Sequence, residues 1–458
     1  MFLLTENNGT FVYMKRNTSI LSIAILALMT LLIFVSCTDD IVPPSDGINV
    51  SNTFALSLKS GANITVKATY KPGYFSSDSS KFNKDLAMLS YVAASSSMSK
   101  ASCESFYKSM GFSNLEPEGW DTEPTADSVA YMLASKKIDD SVLIAITVRG
   151  FNYLSEWANN LTVGKTGDHA GFSMEADKII TSLEEYIDSY ITNPEKIKIW
   201  IMGYSRGGGI SDVVAHKILS SEIVQEENLY AYTFEAPASL AYEYKHNCVH
   251  DIRNSADLIP YIPPAQWGLY HAGVETDIYS DNLRSYLIKD LDLKDGDFPT
   301  FKPNTDQKTP SAFNEYLITT ITSVDWFSNR GQYVDNVQTP VTEFIPMLMA
   351  GQQKGLKVLS NYFSGMSELD LVAFYTGCAA DSGEDYAYTE FKPLFDDAGV
   401  EYDDSKLHDV SLFIHNVAKD PYTLAILLVA WLNKDNETYV VMSHYPEVTY
   451  IALKHYQP

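Results

Sequence analysis

Cysteine is scarce in this chain, with four in 458 residues, and that excludes a scaffold built on disulfides. Basic residues are also few. Lys plus Arg is 33 against 58 Asp plus Glu, which leaves a net charge of −25 and a pI near 4.6. A nucleic-acid binder needs a basic footprint, so nucleic acid is excluded as a partner. Adsorption to an anionic membrane by charge alone is excluded on the same ground. Long apolar runs are missing too. The longest covers residues 20–35 and falls short of the ~20 residues a spanning helix needs. Hydrophobic residues nevertheless make up 45% of the chain. That is enough for a large core and excludes wholesale disorder. The length suits one large or two ordinary domains.

The 20–35 run follows Lys15 and Arg16 and stops at Phe34-Val35-Ser36-Cys37. A basic start, a short apolar stretch and then small residues read as a secretory signal. The ending resembles a bacterial lipobox, which implies that Cys37 is lipidated and becomes the mature N-terminus. Residues before Met14 read as an upstream extension, with Met14 as the start. The expected division is a signal peptide at 1–36 and a lipidated tether at 37–50, the latter rich in Asp, Pro, Ser and Gly. Asp39 and Asp40 behind the cysteine resemble the surface-export pattern of some Gram-negative lipoproteins. The expected location is therefore outside the cytoplasm, anchored by lipid to the outer membrane or cell surface. Cys103, Cys248 and Cys378 remain, an odd number that leaves at least one thiol unpaired.

Residues 51–75 read as an opening hairpin and 82–93 as a helix. Apolar runs at 128–133, 142–148, 197–202, 230–234 and 248–252 read as strands, and 176–191 as an amphipathic helix. Strands alternating with helices imply an α/β fold with a mostly parallel sheet flanked by helices. From 274 to 437 helical segments dominate, among them 311–323, 341–349, 356–363 and 424–432. A strand is expected at 438–442 and a helix at 447–455. The reading is an α/β core at 51–273, a largely helical cap insertion at 274–437 before the last strand, and a C-terminal strand and helix of the core at 438–458.

Gly203-Tyr204-Ser205-Arg206-Gly207 fits G-x-S-x-G. It follows a buried-type strand and opens a helix with Ile210, Val213, Val214 and Ile218 on one face, the setting of a nucleophile elbow. A serine hydroxyl is a weak nucleophile and needs a base, which in this fold class comes last in the order Ser, acid, His. Asp257, in the loop after the 248–252 strand, is the best acid, with Asp251 and Asp277 as alternatives. His444, just before Pro446, is the best base, with His271 its main competitor. His455, His408 and His415 fit less well.

These residues, with several linked motifs, resemble the class 3 lipases, a family of Ser–Asp–His acyl hydrolases on the α/β-hydrolase fold. The motifs are Val148-Arg149-Gly150, Glu156-Trp157 with Asn160, His169-Ala170-Gly171-Phe172, the elbow at 203–208, Thr233-Phe234-Glu235-Ala236-Pro237, the 254–264 acid loop, and His444-Tyr445-Pro446-Glu447 with Tyr450. The resemblance runs from about 75 to 273 and resumes at the tail. It implies acyl-enzyme ester hydrolysis by Ser205, His444 and Asp257. It also implies an oxyanion hole from the backbone N–H groups of Arg206 and Phe151, a structural role for His169, and no cofactor or metal. The family usually carries Thr or Ser where Phe151 stands, and a backbone donor survives that change while a hydroxyl donor does not. The implied substrate is a small-molecule or lipid ester, and the implied membrane contact is the lipid on Cys37. Residues 152–168 are short and mixed, so the insertion is expected to be the cap. Most of its aromatics (Phe313, Tyr316, Trp326, Phe327, Phe344, Tyr362, Phe363) are expected to pack its own core.

Other readings stay open on the sequence. The same triad supports glycan deacylation, peptidase or acyltransferase chemistry. A non-catalytic surface lipoprotein that captures glycans or lipids would be expected to carry a degenerate elbow, and this one is complete. His246, Cys248 and His250 at period two would line one strand face as a zinc site, but no further ligand is spaced nearby.

Overall fold

The computed structural model describes residues 47–120, 128–150, 156–342, 354–355, 357–359, 361–362, 365–419 and 434–458. The signal, Cys37 and most of the tether lie outside the described residues, as do Phe151, Phe344, Phe363 and the expected helix at 424–432.

The chain opens with an antiparallel hairpin, β1 (Ile48–Ala55) and β2 (Asn63–Tyr70), which begins inside the stretch expected to be tether. Helices α1 (Lys84–Ser96) and α2 (Lys100–Ser109) follow. Among the described residues a seven-stranded sheet then forms in sequence order: β3 (Ser113–Glu118), β4 (Tyr131–Ile138), β5 (Ser141–Val148), β6 (Ile197–Tyr204), β7 (Leu229–Phe234), β8 (His246–Arg253) and β9 (Gly273–Asp277). The pairs from β5 to β9 are parallel and the β3–β4–β5 edge is antiparallel. The crossovers after β5 and β6 are α3 (Ala170–Tyr190) and α4 (Arg206–Ser220).

Side-chain alternation divides the core in two. Ile199, Ile201, Ile144 and Ile146 point toward α3 and α4, while Trp200, Met202, Leu143 and Ala145 point toward α1. Both faces are buried, so β5 to β7 carry apolar residues on both sides and read in the sequence as nearly continuous hydrophobic runs. Cys103, Cys248 and Cys378 are buried and unpaired, and burial pushes each thiol up to about 12, which leaves them inert as nucleophiles at neutral pH.

Among the described residues the sheet ends at β9, and two expectations change with it. The helical insertion follows the last strand instead of preceding it. Residues 438–442 are not a strand but the end of a helix, Lys434–Met442. The β-branched and aromatic run 438–441 suggests a strand, yet Asn436, Glu437, Tyr439, Val440 and Ser443 are the buried positions, a helical spacing. Tyr439 packs on Phe298 and Phe301, which supplies the tertiary contact that overrides propensity.

The insertion contributes α5 (Leu283–Leu291), α6 (Pro310–Thr322), α7 (Glu368–Ala379), α8 (Gly383–Ala398) and α9 (Asp404–Lys419), and then comes α10 (Lys434–Met442). Its aromatics divide. Phe313 and Tyr316 join the main core, Trp326 and Phe327 pack with Trp267 and Leu269, and Tyr362 belongs to a separate core with Phe374, Phe391 and Phe395. Arg330 fastens the insertion to the 163–168 loop by donating to the carbonyls of Val163, Gly164, Gly167 and Asp168. Helix α11 (Pro446–His455) packs against α5 and α1 and accepts hydrogen bonds from the hairpin at Leu58 and Lys67. No helix among the described residues is long and apolar enough to cross a membrane.

Among the interior carboxyls raised by burial, Glu175 reaches about 7, Glu447 about 7 and Glu437 about 8, from an ordinary 4.5. Each binds its proton more tightly folded than unfolded, so stability is fullest below pH 4.5 as far as these groups decide it, and is lost as pH rises through about 7–8. Thermal melts should therefore show Tm falling from mildly acidic pH toward pH 8. Glu437→Gln should flatten that fall, and an unchanged slope in the variant would remove Glu437 from the account.

Candidate active site

The carboxyl ends of β5, β6, β7 and β8 lie side by side, with Val148 opposite Gly203, Tyr204 opposite Phe234, and Phe234 opposite Ile252. Open parallel sheets present their ligand sites at this edge. Ser205 stands where β6 turns into α4, at φ 55° and ψ −126°. A non-glycine residue at positive φ is strained by about 1–3 kcal/mol. Two glycines allow the turn. A Cβ on Gly203 would lie 2.1 Å from the Gly207 carbonyl oxygen, and one on Gly207 would lie 2.6 Å from that of Val148. The Ser205 N–H donates to the Phe234 carbonyl at 2.8 Å and fixes the turn to β7.

The structure brings Ser205, His444 and Asp257 together. The Ser205 hydroxyl donates to His444 Nε2 at 2.8 Å, and His444 Nδ1–H donates to Asp257 Oδ2 at 2.5 Å. Asp257 is fully buried, accepts the Ile259 N–H at 2.9 Å on Oδ1, and is acceptor-only when ionised, which assigns the imidazole tautomer. The His444 side chain is 20% exposed, and Ser205 is half-buried. The Tyr204 hydroxyl donates to the His444 carbonyl, and its ring stacks on the imidazole at 5.4 Å.

The competing residues lie elsewhere. Asp277 accepts the N–H groups of Ser255 and Tyr279. Asp251 accepts from Thr233 and Gly273, and His271 donates through Nε2 to the Pro260 carbonyl at 3.0 Å. His455 stacks on Tyr286, His408 stacks on Tyr388, and His415 donates to the Cys378 carbonyl. His246, Cys248 and His250 do not share a strand face. The β8–β9 register shifts between His246 and His250, which sends Cys248 into the core under α4 while His250 packs on Phe82 and Tyr232 on the opposite side.

His169 caps α3 by accepting the Phe172 N–H at 3.4 Å, and burial lowers it to about 3, so it stays neutral. Arg206 begins α4, and its N–H lies in the first turn, where helix donors lack intrahelical acceptors. Its side chain does something the sequence did not reveal. It is buried and pairs with Glu175, donates to the Ser128 carbonyl at 2.8 Å, and lies 3.9 Å from Glu156, which itself pairs with Arg149 at 2.6 Å. Two arginines and two glutamates thus form a buried network under the elbow, and Asn159 joins it at 2.5 Å from Glu175.

Glu235 is the other residue that sequence reasoning missed. It is fully buried at φ 48°, at the end of β7. It accepts the Asn254 N–H at 3.0 Å and the Thr449 hydroxyl at 2.9 Å. Burial, with Asp257 beside it, holds its carboxyl well above the usual range. Glu235 therefore ties β7, the acid loop and α11 together as a neutral acid. No periodic or spacing signal marks it.

Residues 145–267 match the family model described as lipase (class 3). A curated lipase of Rhizomucor miehei is 24% identical over 179 residues, covering 35% of this chain and 48% of that protein. The chain thus spans about half the length of that relative. Among solved structures, a fungal lipase–inhibitor complex aligns at 18% identity over 43% of this chain and 81% of that one, with a TM-score of 0.36. The native Rhizomucor miehei lipase–propeptide complex aligns at 18% identity over 44% and 71%, with a TM-score of 0.34. The chain resembles class 3 lipases across the segment that carries the elbow and the acid loop.

Glu175→Ala would leave the Arg206 guanidinium buried without its closest partner, which costs about 3–5 kcal/mol. Urea denaturation should show that loss, and a change below 1 kcal/mol would show that Glu156 alone neutralises Arg206.

Proposed function

We propose that this chain is a serine ester hydrolase of the lipase and carboxylesterase class, acting outside the cytoplasm while anchored by a lipid on Cys37. The observation that carries the reading is the hydrogen-bonded series Asp257–His444–Ser205 on a strand-to-helix turn. The family match over 145–267 supports the same chemistry.

Ser205 Oγ attacks the ester carbonyl while His444 Nε2 takes its proton. His444 then returns the proton to the departing alcohol, which leaves an acyl-serine. Water, deprotonated by the same imidazole, releases the acid and restores Ser205. Asp257 stays ionised, holds Nδ1–H and stabilises the imidazolium. The tetrahedral oxyanion is held by the N–H of Arg206, at the positive end of α4, and the family resemblance assigns the second donor to the N–H of Phe151, which lies outside the described residues. The substrate is a small-molecule or lipid ester. The acidic surface of the chain favours attachment through Cys37 over attachment by charge.

A fluorophosphonate probe should label the wild type and leave Ser205→Ala unlabelled. Hydrolysis of p-nitrophenyl esters should fall by at least about 10³-fold in that variant and by about 10⁴-fold in Asp257→Asn, whose imidazole would sit in the wrong tautomer. Equal labelling and turnover in wild type and Ser205→Ala would sink the reading. A chain-length series separates esterase from lipase preference.

The anchor is tested separately. An alkyne fatty acid fed to expressing Gram-negative cells should label the wild type in the membrane fraction, and Cys37→Ala should be unlabelled. Label retained in the variant would refute attachment at Cys37.

A further inference from the structure

A second group of chemically capable side chains lies behind the sheet edge, separate from the triad. Asp212 sits on α4 about two turns beyond Ser205, Asp251 is on β8, and His271 immediately precedes β9. One ligand atom from each lies within 4.8 Å of the other two.

The local chemistry is unusual for a core. Asp212 is fully buried, and neither of its oxygens accepts a well-aligned hydrogen bond, although the Thr233 hydroxyl and the Ala272 backbone face it. Its polar neighbours are Asp251, the Thr233 hydroxyl and Ala272. Thr233 gives its proton to Asp251 Oδ1 at 2.7 Å, and the Gly273 N–H donates to Asp251 Oδ2 at 2.8 Å. Among the described residues no lysine or arginine forms an ion pair with either carboxylate. Arg253, two residues beyond Asp251 on β8, pairs instead with Glu275 at 2.7 Å.

His271 is turned to complete the group. The Pro260 carbonyl can only accept, so Nε2 carries a ring proton, and the neutral ring then presents its lone pair at Nδ1. That nitrogen is buried without a partner. A carbonyl that fixes the outer ring nitrogen so that the inner one presents its lone pair is the arrangement metal-binding histidines adopt. A cavity of about 10 Å³, lined in part by Asp251, Pro260 and His271, adjoins the cluster, with room for about one water.

We propose that Asp212, Asp251 and His271 bind a divalent cation of the zinc type, with water from the adjoining cavity as its fourth ligand. Two carboxylate oxygens and one imidazole nitrogen match zinc, whereas calcium takes six to eight oxygens. The site is structural. It joins the helix that begins at Ser205 to the strand that leads into the Asp257 loop, and through His271 and Pro260 it ties in that loop's far end. It requires no assumption about the reaction at Ser205.

The rival arrangement is a shared proton. Burial and the neighbouring Asp251 hold the Asp212 carboxyl well above its ordinary range, so one proton between the two aspartates would also neutralise part of the charge. The two arrangements predict different measurements. The full-length chain, incubated with zinc and desalted without chelator, should retain about one zinc per chain by elemental analysis. Excess calcium should leave it bound. Chelation should lower Tm by several degrees, and zinc should restore it. Asp212→Asn and His271→Gln should each lose most of the bound zinc while far-ultraviolet circular dichroism stays native. Absence of stoichiometric zinc in the folded wild type would overturn the proposal, as would its displacement by calcium or undiminished zinc in folded variants. A Tm for Asp212→Asn at or above that of zinc-treated wild type would also overturn it and establish the shared proton.

Discussion

The site depends on one backbone constraint: Ser205, which is not glycine, must hold φ at 55° between a buried strand and a helix. Left to itself that residue would relax by about 1–3 kcal/mol. It cannot relax because each side of the turn is fastened. The glycines at 203 and 207 leave no room for a Cβ and bring β5 and α4 to close contact. The Ser205 N–H is bound to β7. Arg206, the next residue, buries its guanidinium in carboxylates from the 156–175 segment. A buried ion pair is a weak source of net stability, because desolvation offsets most of the attraction. Its effect here is positional. Moving Arg206 would strip Glu175 of its cation, so the first turn of α4 has one arrangement available.

With the nucleophile fixed, the base must be brought to it from 239 residues away. The chain does this with its end. Helix α11 is held by Glu447 accepting the Leu58 N–H at 2.8 Å, by Tyr91 bonded to the Pro446 carbonyl, and by Thr449 bonded to Glu235. The opening hairpin and α1 therefore position a residue they never touch chemically. Glu235 matters because it stands beside Asp257. Were both ionised in the same buried space, repulsion would raise the energy of the carboxylate His444 needs. Burial leaves the proton on Glu235, which keeps a second charge out of the space beside that acid.

The parts legible in the sequence were those with local signatures. The elbow needs glycines at fixed offsets, and β6 and β7 need apolar residues on both faces, so both appear as short motifs. The acid loop follows its strand directly. His444 was found by chain order and by the proline behind it, although the segment before it was misread. Residues 438–442 carry strand-forming side chains, and only contact with Phe298 and Phe301, remote in sequence, makes them helix. The zinc reading at His246, Cys248 and His250 assumed an unbroken period of two, and a register shift removes it. Glu235, Glu175 and Asp212 were invisible for a shared reason: an acidic residue in a sequence looks solvated, and only the packing shows that it is not.

That last point bears on the composition. A chain with 58 acidic and 33 basic residues is expected to put its acids outside and to pair any that go inside. Part of the small basic supply is spent within, since Arg149, Arg206 and Arg330 are buried. Arg330 is directed at backbone carbonyls and not at carboxylates. Interior acids beyond Glu156 and Glu175 must then be neutralised by something else. Burial makes Glu235, Glu437 and Glu447 hold a proton more tightly, and Asp257 uses an imidazole. The same scarcity that excluded nucleic acid as a partner therefore shapes the interior. It makes proton occupancy a structural variable in the groups around the triad, and it leaves Asp212 and Asp251 as the pair whose neutralisation a cation from solution would complete.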